Sequence, residues 1–127
     1  MSAVLDAGAL IAIERRDPTF GAVLLVAQRR GIDLVTSSTV VAQVWRGGSS
    51  RGQVNLARQL RGVDERHFTP DDARHVGDLL GASRTSDIAD AHIALITRPG
   101  DTVHTSDPSD LARLLGSRNI DATVHPV

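Results

Sequence analysis

Two patterns of hydrophobic and polar positions alternate along the chain. Short segments that favour strands, most of them apolar, occur at residues 3–6, 32–37, 63–68, 102–106 and 122–124. Between them, apolar residues recur at intervals of three and four, as Phe20, Val23 and Leu24 show. This spacing predicts helices at residues 9–16, 19–30, 39–46, 51–61, 70–80, 87–97 and 108–116.

Local signals mark the predicted helix boundaries. Thr69, Pro70 and the following acids form a strong helix start, because a hydroxyl cap, a first-turn proline and negative charge coincide there. Ser86 is the predicted cap of the next helix. Strands that alternate with helices predict an α/β fold with a parallel sheet of four to five strands, covered on both faces. No repeat or linker divides residues 1–127, so a single domain is expected.

The charged residues are uniform in type. All 14 basic residues are Arg, 13 of the 15 acids are Asp, and the chain has neither Lys nor Cys. Without Lys, phosphate-binding loops of nucleotide hydrolases, Schiff-base chemistry, and receiver-type or dehalogenase-like phosphoacyl-Asp sites are excluded. Without Cys, thiol nucleophiles and Cys-ligated zinc are excluded. Asp, Arg, His and hydroxyl groups remain to carry any chemistry.

Overall charge and hydropathy restrict the partners. The formal net charge of -1 argues against binding nucleic acid through bulk charge, although it leaves room for local basic patches. Two Phe, one Trp and no Tyr are too few for a base-stacking platform. The N-terminal apolar run contains Asp6 and is shorter than a membrane span, so we expect a cytoplasmic protein without a membrane anchor.

Acidic residues fall where parallel α/β sheets form their sites. Asp6 ends the first strand, Asp107 ends the strand at 102–106, and Asp90 lies in the first turns of the helix at 87–97. Asp87 and Asp110 each lie three residues from one of these acids, on the same helix face. The fold is therefore expected to gather these Asp side chains at one end of the sheet.

Grouped carboxylates repel one another unless a cation or raised pKa values compensate. Oxygen ligands suit Mg²⁺ or Mn²⁺, and a carboxylate-held Mg²⁺ is the arrangement that cleaves phosphodiesters. Structural roles compete with this interpretation, since Asp107 with Asp110 forms a good helix cap and Asp87 a favourable first-turn charge. Asp6 and Asp90 are harder to explain as structural, because each lies inside an apolar segment.

Three segments carry these acids: VLDAGAL at 4–10, SDIADAHIA at 86–94 and TSDPSDL at 105–111. Together they resemble the three acidic motifs of PIN-domain proteins, and more narrowly those of VapC toxins. The resemblance implies a three-layer α/β/α sandwich, an endoribonuclease that depends on Mg²⁺ or Mn²⁺, a homodimer and a VapB-type antitoxin that masks the site. It also implies that Asp6, Asp90 and Asp107 are catalytic residues, and that they bind the metal together with Asp87 and Asp110.

One position departs from the family pattern. The family usually carries Glu in the helix after the second strand, where this chain has Gln43. The Gln amide oxygen can bind a metal or position a water, but the lost charge is expected to weaken cation affinity. Two interpretations follow: a ribonuclease with Gln43 in its catalytic set, or a degenerate PIN domain that serves as an antitoxin-binding or RNA-binding module.

Other residues are candidates for binding. Arg46 and Arg51 are expected to hold RNA phosphates, with solvated helix-end arginines as the alternative. Leu10 and Phe20 lie in the early helices that form the antitoxin groove in this family, and their default role is the core. Core packing is also the expected use of the single Trp45. The His residues show no zinc-site spacing and are expected to be structural.

Overall fold

A parallel sheet of five strands forms the centre of the protein, in a computed structural model that describes residues 1–127. The strands are β1 (Ser2–Leu5), β2 (Asp33–Ser37), β3 (Asp64–Arg66), β4 (Thr102–Thr105) and β5 (Thr123–Pro126). Their spatial order is β3-β2-β1-β4-β5, and each neighbouring pair is parallel. The direction of winding therefore reverses between β1 and β4, and the crevice at the carboxyl ends of these two strands is where such sheets bind ligands.

Seven helices cover the sheet: α1 (Ala7–Glu14), α2 (Pro18–Arg29), α3 (Ser38–Val44), α4 (Arg51–Leu60), α5 (Pro70–Ser83), α6 (Ile88–Ile96) and α7 (Pro108–Ser117). Helices α1 and α2 pack on the sheet, and α4 packs against α1. Helices α6 and α7 also pack on the sheet, and α5 packs against both of them. The predicted three-layer α/β/α sandwich is confirmed. None of the helices combines the length and apolar character needed to span a membrane.

One cluster of 24 buried hydrophobic residues forms the core between the layers. Strand β1 lies in the middle of the sheet, and Val4 and Leu5 are wholly buried, as expected when helices cover both faces of a strand. Burial of a side chain such as Leu5 or Leu10 contributes about 1.5 to 3 kcal/mol. Leu10 and Phe20 are both buried, so their predicted place in the core is confirmed.

Several boundaries differ from prediction for local reasons. Helix α5 continues three residues beyond 80 and ends at Ser83, where Arg84 adopts a left-handed conformation with φ 56°. The prediction that Ser86 caps α6 is wrong, because Asp87 is the N-cap and its carboxylate accepts the Asp90 N–H at 2.9 Å. The core role expected for Trp45 is also wrong: this residue is the C-cap of α3 and is 42% exposed.

Candidate metal centre

Asp6 lies at the carboxyl end of β1, in the crevice beside β4. Only 3% of the residue is exposed. Thr105 Oγ1, at the end of β4, donates a hydrogen bond to Asp6 Oδ2 at 2.6 Å, but the buried Oδ1 has no hydrogen-bond partner. Asp6 also stands at the N-cap of α1 without forming a side-chain capping bond. A buried carboxylate oxygen without a donor is unfavourable, so Asp6 fits a role as a cation ligand.

Thr105 links Asp6 to a second acid. Its hydroxyl oxygen accepts the backbone N–H of Asp107 at 2.9 Å while its proton goes to Asp6. Asp107 precedes α7, yet its side chain forms no capping hydrogen bond, so the structural role considered for it is absent. Thr105 was not among the predicted site residues, although a hydroxyl residue that ends a buried strand two positions before an acid is a signal in the sequence. One hydroxyl group thus fixes the positions of two carboxylates.

Asp90 lies in the first turn of α6 and is 7% exposed. Burial, followed by the negative charges of Asp6, Asp87, Asp107 and Asp110, raises the pKa of Asp90 to about 7. The charges of the other four predicted acids therefore all act on Asp90. The centre is therefore strained by like charge when its carboxylates are ionised.

Three carboxylates approach most closely. One oxygen from each of Asp90, Asp107 and Asp110 lies within 4.8 Å of the others. Partial desolvation, the charge of Asp110 and a hydrogen bond shared with Asp110 raise the pKa of Asp107. Burial, opposed by the hydrogen bond from Thr105, raises the pKa of Asp6. These donors are all oxygen atoms, which is the ligand type that Mg²⁺ and Mn²⁺ prefer.

Asp87 has a structural role as well as its place in the centre. Its Oδ1 accepts the Asp90 N–H, and this cap holds the first turn of α6, which carries Asp90. Asp87 is exposed, and its charge contributes to the raised pKa of Asp90. The cap uses Oδ1 only. Asp87 therefore keeps Oδ2 free of the capping bond, at the exposed side of the centre.

Gly8 allows α1 to lie close to the loop that follows β4. A Cβ atom on Gly8 would lie 2.6 Å from the Ser106 side-chain oxygen and 2.8 Å from the Ser106 backbone nitrogen. Real Cβ atoms do not approach backbone this closely, so only Gly fits at this position. The contact brings the start of α1, with Asp6, against the segment that carries Asp107.

The structure places Gln43 on the exposed side of α3. The residue borders a cavity of about 290 Å³ together with Glu14, Arg15 and Arg46. Its side chain makes no hydrogen bond to any of the five acids. The predicted role of Gln43 in catalysis therefore stays a prediction. In the structure this residue lies beside a cavity that two arginines also border.

The two predicted phosphate-binding arginines are both exposed. Arg46 Nη1 donates to the carbonyl oxygen of Trp45 at 2.7 Å, so the guanidinium group covers the carboxyl end of α3. Arg51 is the first residue of α4. Neither arginine forms an ion pair with an acid of the centre, which leaves both available to an anionic ligand.

The stability of the metal-free protein is expected to depend on pH through Asp90. Its pKa of about 7 lies above the 3.8 of an unperturbed Asp, so the folded protein retains a proton that the unfolded chain has lost. Stability associated with this proton is present at low pH and is lost as the pH rises through about 7. Buried His104, whose pKa is lowered by burial and by His125, has the opposite effect below 6.5.

Comparison with an Asp90→Asn variant isolates the Asp90 effect. Metal-free wild-type protein is expected to lose thermal stability relative to this variant between pH 5 and pH 8. Saturating Mg²⁺ should restore wild-type stability at pH 8 and have little effect at pH 5, where the proton competes with the cation. Melting curves in a chelator and in Mg²⁺ would test this, and parallel curves for the two proteins at all pH values would contradict it.

Comparisons with known proteins leave the family undecided. The chain matches no family model, and no curated protein is significantly similar to it. The resemblance of its motif segments to PIN-domain proteins therefore supports a proposal and does not establish the family.

Proposed function

We propose that the protein is a ribonuclease that depends on Mg²⁺ or Mn²⁺ and hydrolyses RNA phosphodiester bonds. The observation that carries the proposal is the cluster of Asp90, Asp107 and Asp110 at the switch point of the sheet, next to Asp6, which Thr105 binds and whose buried Oδ1 has no partner. Capping does not explain Asp6 or Asp107, since neither side chain caps its helix. The resemblance of the motif segments to those of VapC toxins supports the choice of RNA over other phosphodiesters.

The residues present fit a divalent cation. Asp90, Asp107 and Asp110, whose oxygens lie within 4.8 Å of one another, would hold it, and Asp6, whose buried Oδ1 has no partner, would complete the set. When bound, the cation supplies positive charge to the scissile phosphate and to the attacking water. Asp87 lies at the exposed side of the centre, where its free oxygen can orient that water and accept its proton.

Substrate binding outside the centre would fall to Arg. Because the chain has no Lys, Arg is the permanently charged side chain that can bind a phosphate group. Arg46 and Arg51 flank the turn between α3 and α4, and Gln43 lies one helical turn before Arg46. These residues would extend the RNA-binding surface along α3.

The same proposal includes the partners implied by the resemblance. Helices α1, α2 and α4 enclose a cavity of about 290 Å³ lined by Ile13, Phe20 and Leu24, which suits an apolar segment of a VapB-type antitoxin. A second apolar cavity of about 420 Å³ borders exposed Trp45 and Leu60 and supports a homodimer contact. A toxin that acts on cellular RNA would work in the cytoplasm.

A degenerate domain without cleavage activity is the second candidate, and Gln43 is the observation that favours it. If the usual Glu is needed to bind the cation, a neutral amide leaves a domain that binds an antitoxin or RNA without cutting. Both candidates share the same fold and partners, so only an activity measurement separates them.

If the charge of the family's usual Glu is what the centre lacks, Gln43→Glu is expected to increase Mn²⁺ affinity by about tenfold, because it restores one negative charge at that position. Cleavage of an RNA panel should rise with it. Gln28→Glu, on the exposed surface of α2, adds the same charge elsewhere and should leave both properties unchanged.

Purified wild-type protein, Asp6→Asn and both Gln variants would be incubated with the panel in Mg²⁺, in Mn²⁺ and in a chelator. Metal-dependent cleavage that disappears in Asp6→Asn supports the ribonuclease. Activity that appears only in Gln43→Glu identifies a degenerate domain, and RNA that stays intact with every variant rules out the ribonuclease.

A further inference from the structure

A chain of hydrogen bonds beneath the metal centre joins three helices through one buried imidazole. His92, on α6, is wholly buried. Its Nδ1 lies 2.5 Å from Ser37 Oγ, and its Nε2 lies 3.2 Å from Asp72 Oδ2. Ser37 ends β2 and caps α3, whereas Asp72 belongs to the first turn of α5. The imidazole therefore connects elements that are far apart in the sequence.

The partners of His92 determine where its proton lies. An ionised carboxylate only accepts hydrogen bonds, so Nε2–H donates to Asp72 and Nδ1 presents its lone pair to the Ser37 hydroxyl. Ser37 Oγ in turn accepts the Thr39 N–H at 3.1 Å and lies 2.6 Å from Thr39 Oγ1. Each polar group in this chain has a partner, which is the condition under which a buried polar network is rigid.

The set of Ser37, His92 and Asp72 has the composition of a nucleophile, base and acid triad. Both Ser37 and His92 are 0% exposed, so no substrate can reach the hydroxyl group. The network therefore does not act as a second catalytic site. Its effect must pass through the elements that it holds.

Ser37 and His92 both lie next to residues of the metal centre. Strand β2 pairs with β1 so that Val35 is opposite Val4, and continuing this register places Ser37 beside Asp6. The Thr36 hydroxyl reinforces the pairing by donating to the Leu5 carbonyl at 2.6 Å. His92 lies two residues after Asp90 on α6. The bond between Ser37 and His92 thus joins the strand level of Asp6 to the helix that carries Asp90.

We propose that His92 is a positioning residue of the metal centre: its bond to Ser37 fixes α6 along the strand direction and so sets the separation between Asp90 and Asp6. This role rests on the proposed binding of a divalent cation. The bond to Asp72 anchors the other side of the ring to α5 and orients it, but the contact that matters for the centre is the one to Ser37.

Two substitutions of His92 separate its two contacts. Asn places an amide atom near the position of Nδ1 and can still bond Ser37, whereas Gln reaches the position of Nε2 and can bond Asp72 only. Both variants lose the packing of the buried imidazole ring to a similar extent, so both should have lower thermal stability than wild type. His92→Gln is expected to weaken Mn²⁺ affinity by about tenfold or more, while His92→Asn stays within about threefold of wild type.

Mn²⁺ titrations followed by electron paramagnetic resonance would measure these affinities, with thermal melts in parallel and His75→Asn, on the exposed side of α5, as a control. Ser37→Ala removes the same hydrogen bond from the Ser37 side and should lower Mn²⁺ affinity as much as His92→Gln does. The double variant should bind Mn²⁺ no more weakly than either single variant. Equal Mn²⁺ affinities for His92→Gln and His92→Asn overturn the positioning role alone. A wild-type protein that binds no Mn²⁺ overturns the proposed function together with it.

Discussion

Asp90→Asn is expected to reduce metal-dependent RNA cleavage by about 100- to 1000-fold, the range seen when one preorganised charge-stabilising group is removed from an active site. Asp90 is the acid on which the charges of the other four converge, and the neutral amide both removes a ligand and relieves their repulsion. Loss of activity should therefore not be accompanied by loss of stability in the metal-free protein at pH 8.

Cleavage rates of wild type and Asp90→Asn at several Mg²⁺ concentrations, with melts in a chelator, would test this expectation. Asp78→Asn, an exposed acid on α5, serves as the matched control and should behave as wild type. Asp90→Asn protein that cuts RNA at the wild-type rate would contradict the assignment of Asp90. A variant that unfolds more readily than wild type at pH 8 would show instead that the Asp90 carboxylate is structural.

Gly8→Ala is expected to destabilise the protein by about 1 to 3 kcal/mol, the usual effect of forcing one extra methyl group into a packed contact. The new Cβ would lie within 2.8 Å of Ser106 backbone and side-chain atoms, so α1 and the loop after β4 must move apart. Because this movement separates Asp6 from Asp107, cleavage should fall much more than stability alone explains.

Gly77→Ala provides the comparison for that experiment. Gly77 lies inside α5, and a Cβ there would meet nothing within 4 Å. This substitution should stabilise the protein by about 0.5 to 1 kcal/mol, because Ala favours the helix. Urea denaturation and Mn²⁺ titration of both variants would measure the effects. Gly8→Ala protein with wild-type stability and wild-type Mn²⁺ affinity would show that the contact with Ser106 is not needed.

The fold could be predicted because its signals are local. Alternating strand and helix patterns fixed the class, and the Thr69 cap and Pro70 placed the start of α5 correctly. The predicted end of α5 at residue 80 is too early, since the helix continues through Gly81 to Ser83 and is followed by the left-handed Arg84. Propensity at a single Gly does not decide where a helix packed against two others ends.

The acids of the centre could also be anticipated, because the ends of parallel strands at a switch point converge in any sheet of this type. The contacts that hold them could not. Thr105 meets Asp6 across 99 residues and Ser37 meets His92 across 55, so each pairing depends on how strands and helices cross in three dimensions. His92 sits in an apolar segment, where its sequence suggested a structural residue and could not reveal its partners.

Thr105 also bears on how Asp6 would bind the proposed cation. Its hydroxyl group donates to Asp6 Oδ2, whereas the buried Oδ1 has no hydrogen-bond partner and is the oxygen better placed to ligate an ion. Ca²⁺ takes six to eight oxygen atoms and commonly uses both oxygens of a carboxylate, whereas Mg²⁺ binds one oxygen from each and keeps several of its waters. Binding of the proposed cation through Oδ1 alone would therefore favour Mg²⁺ over Ca²⁺ at this centre.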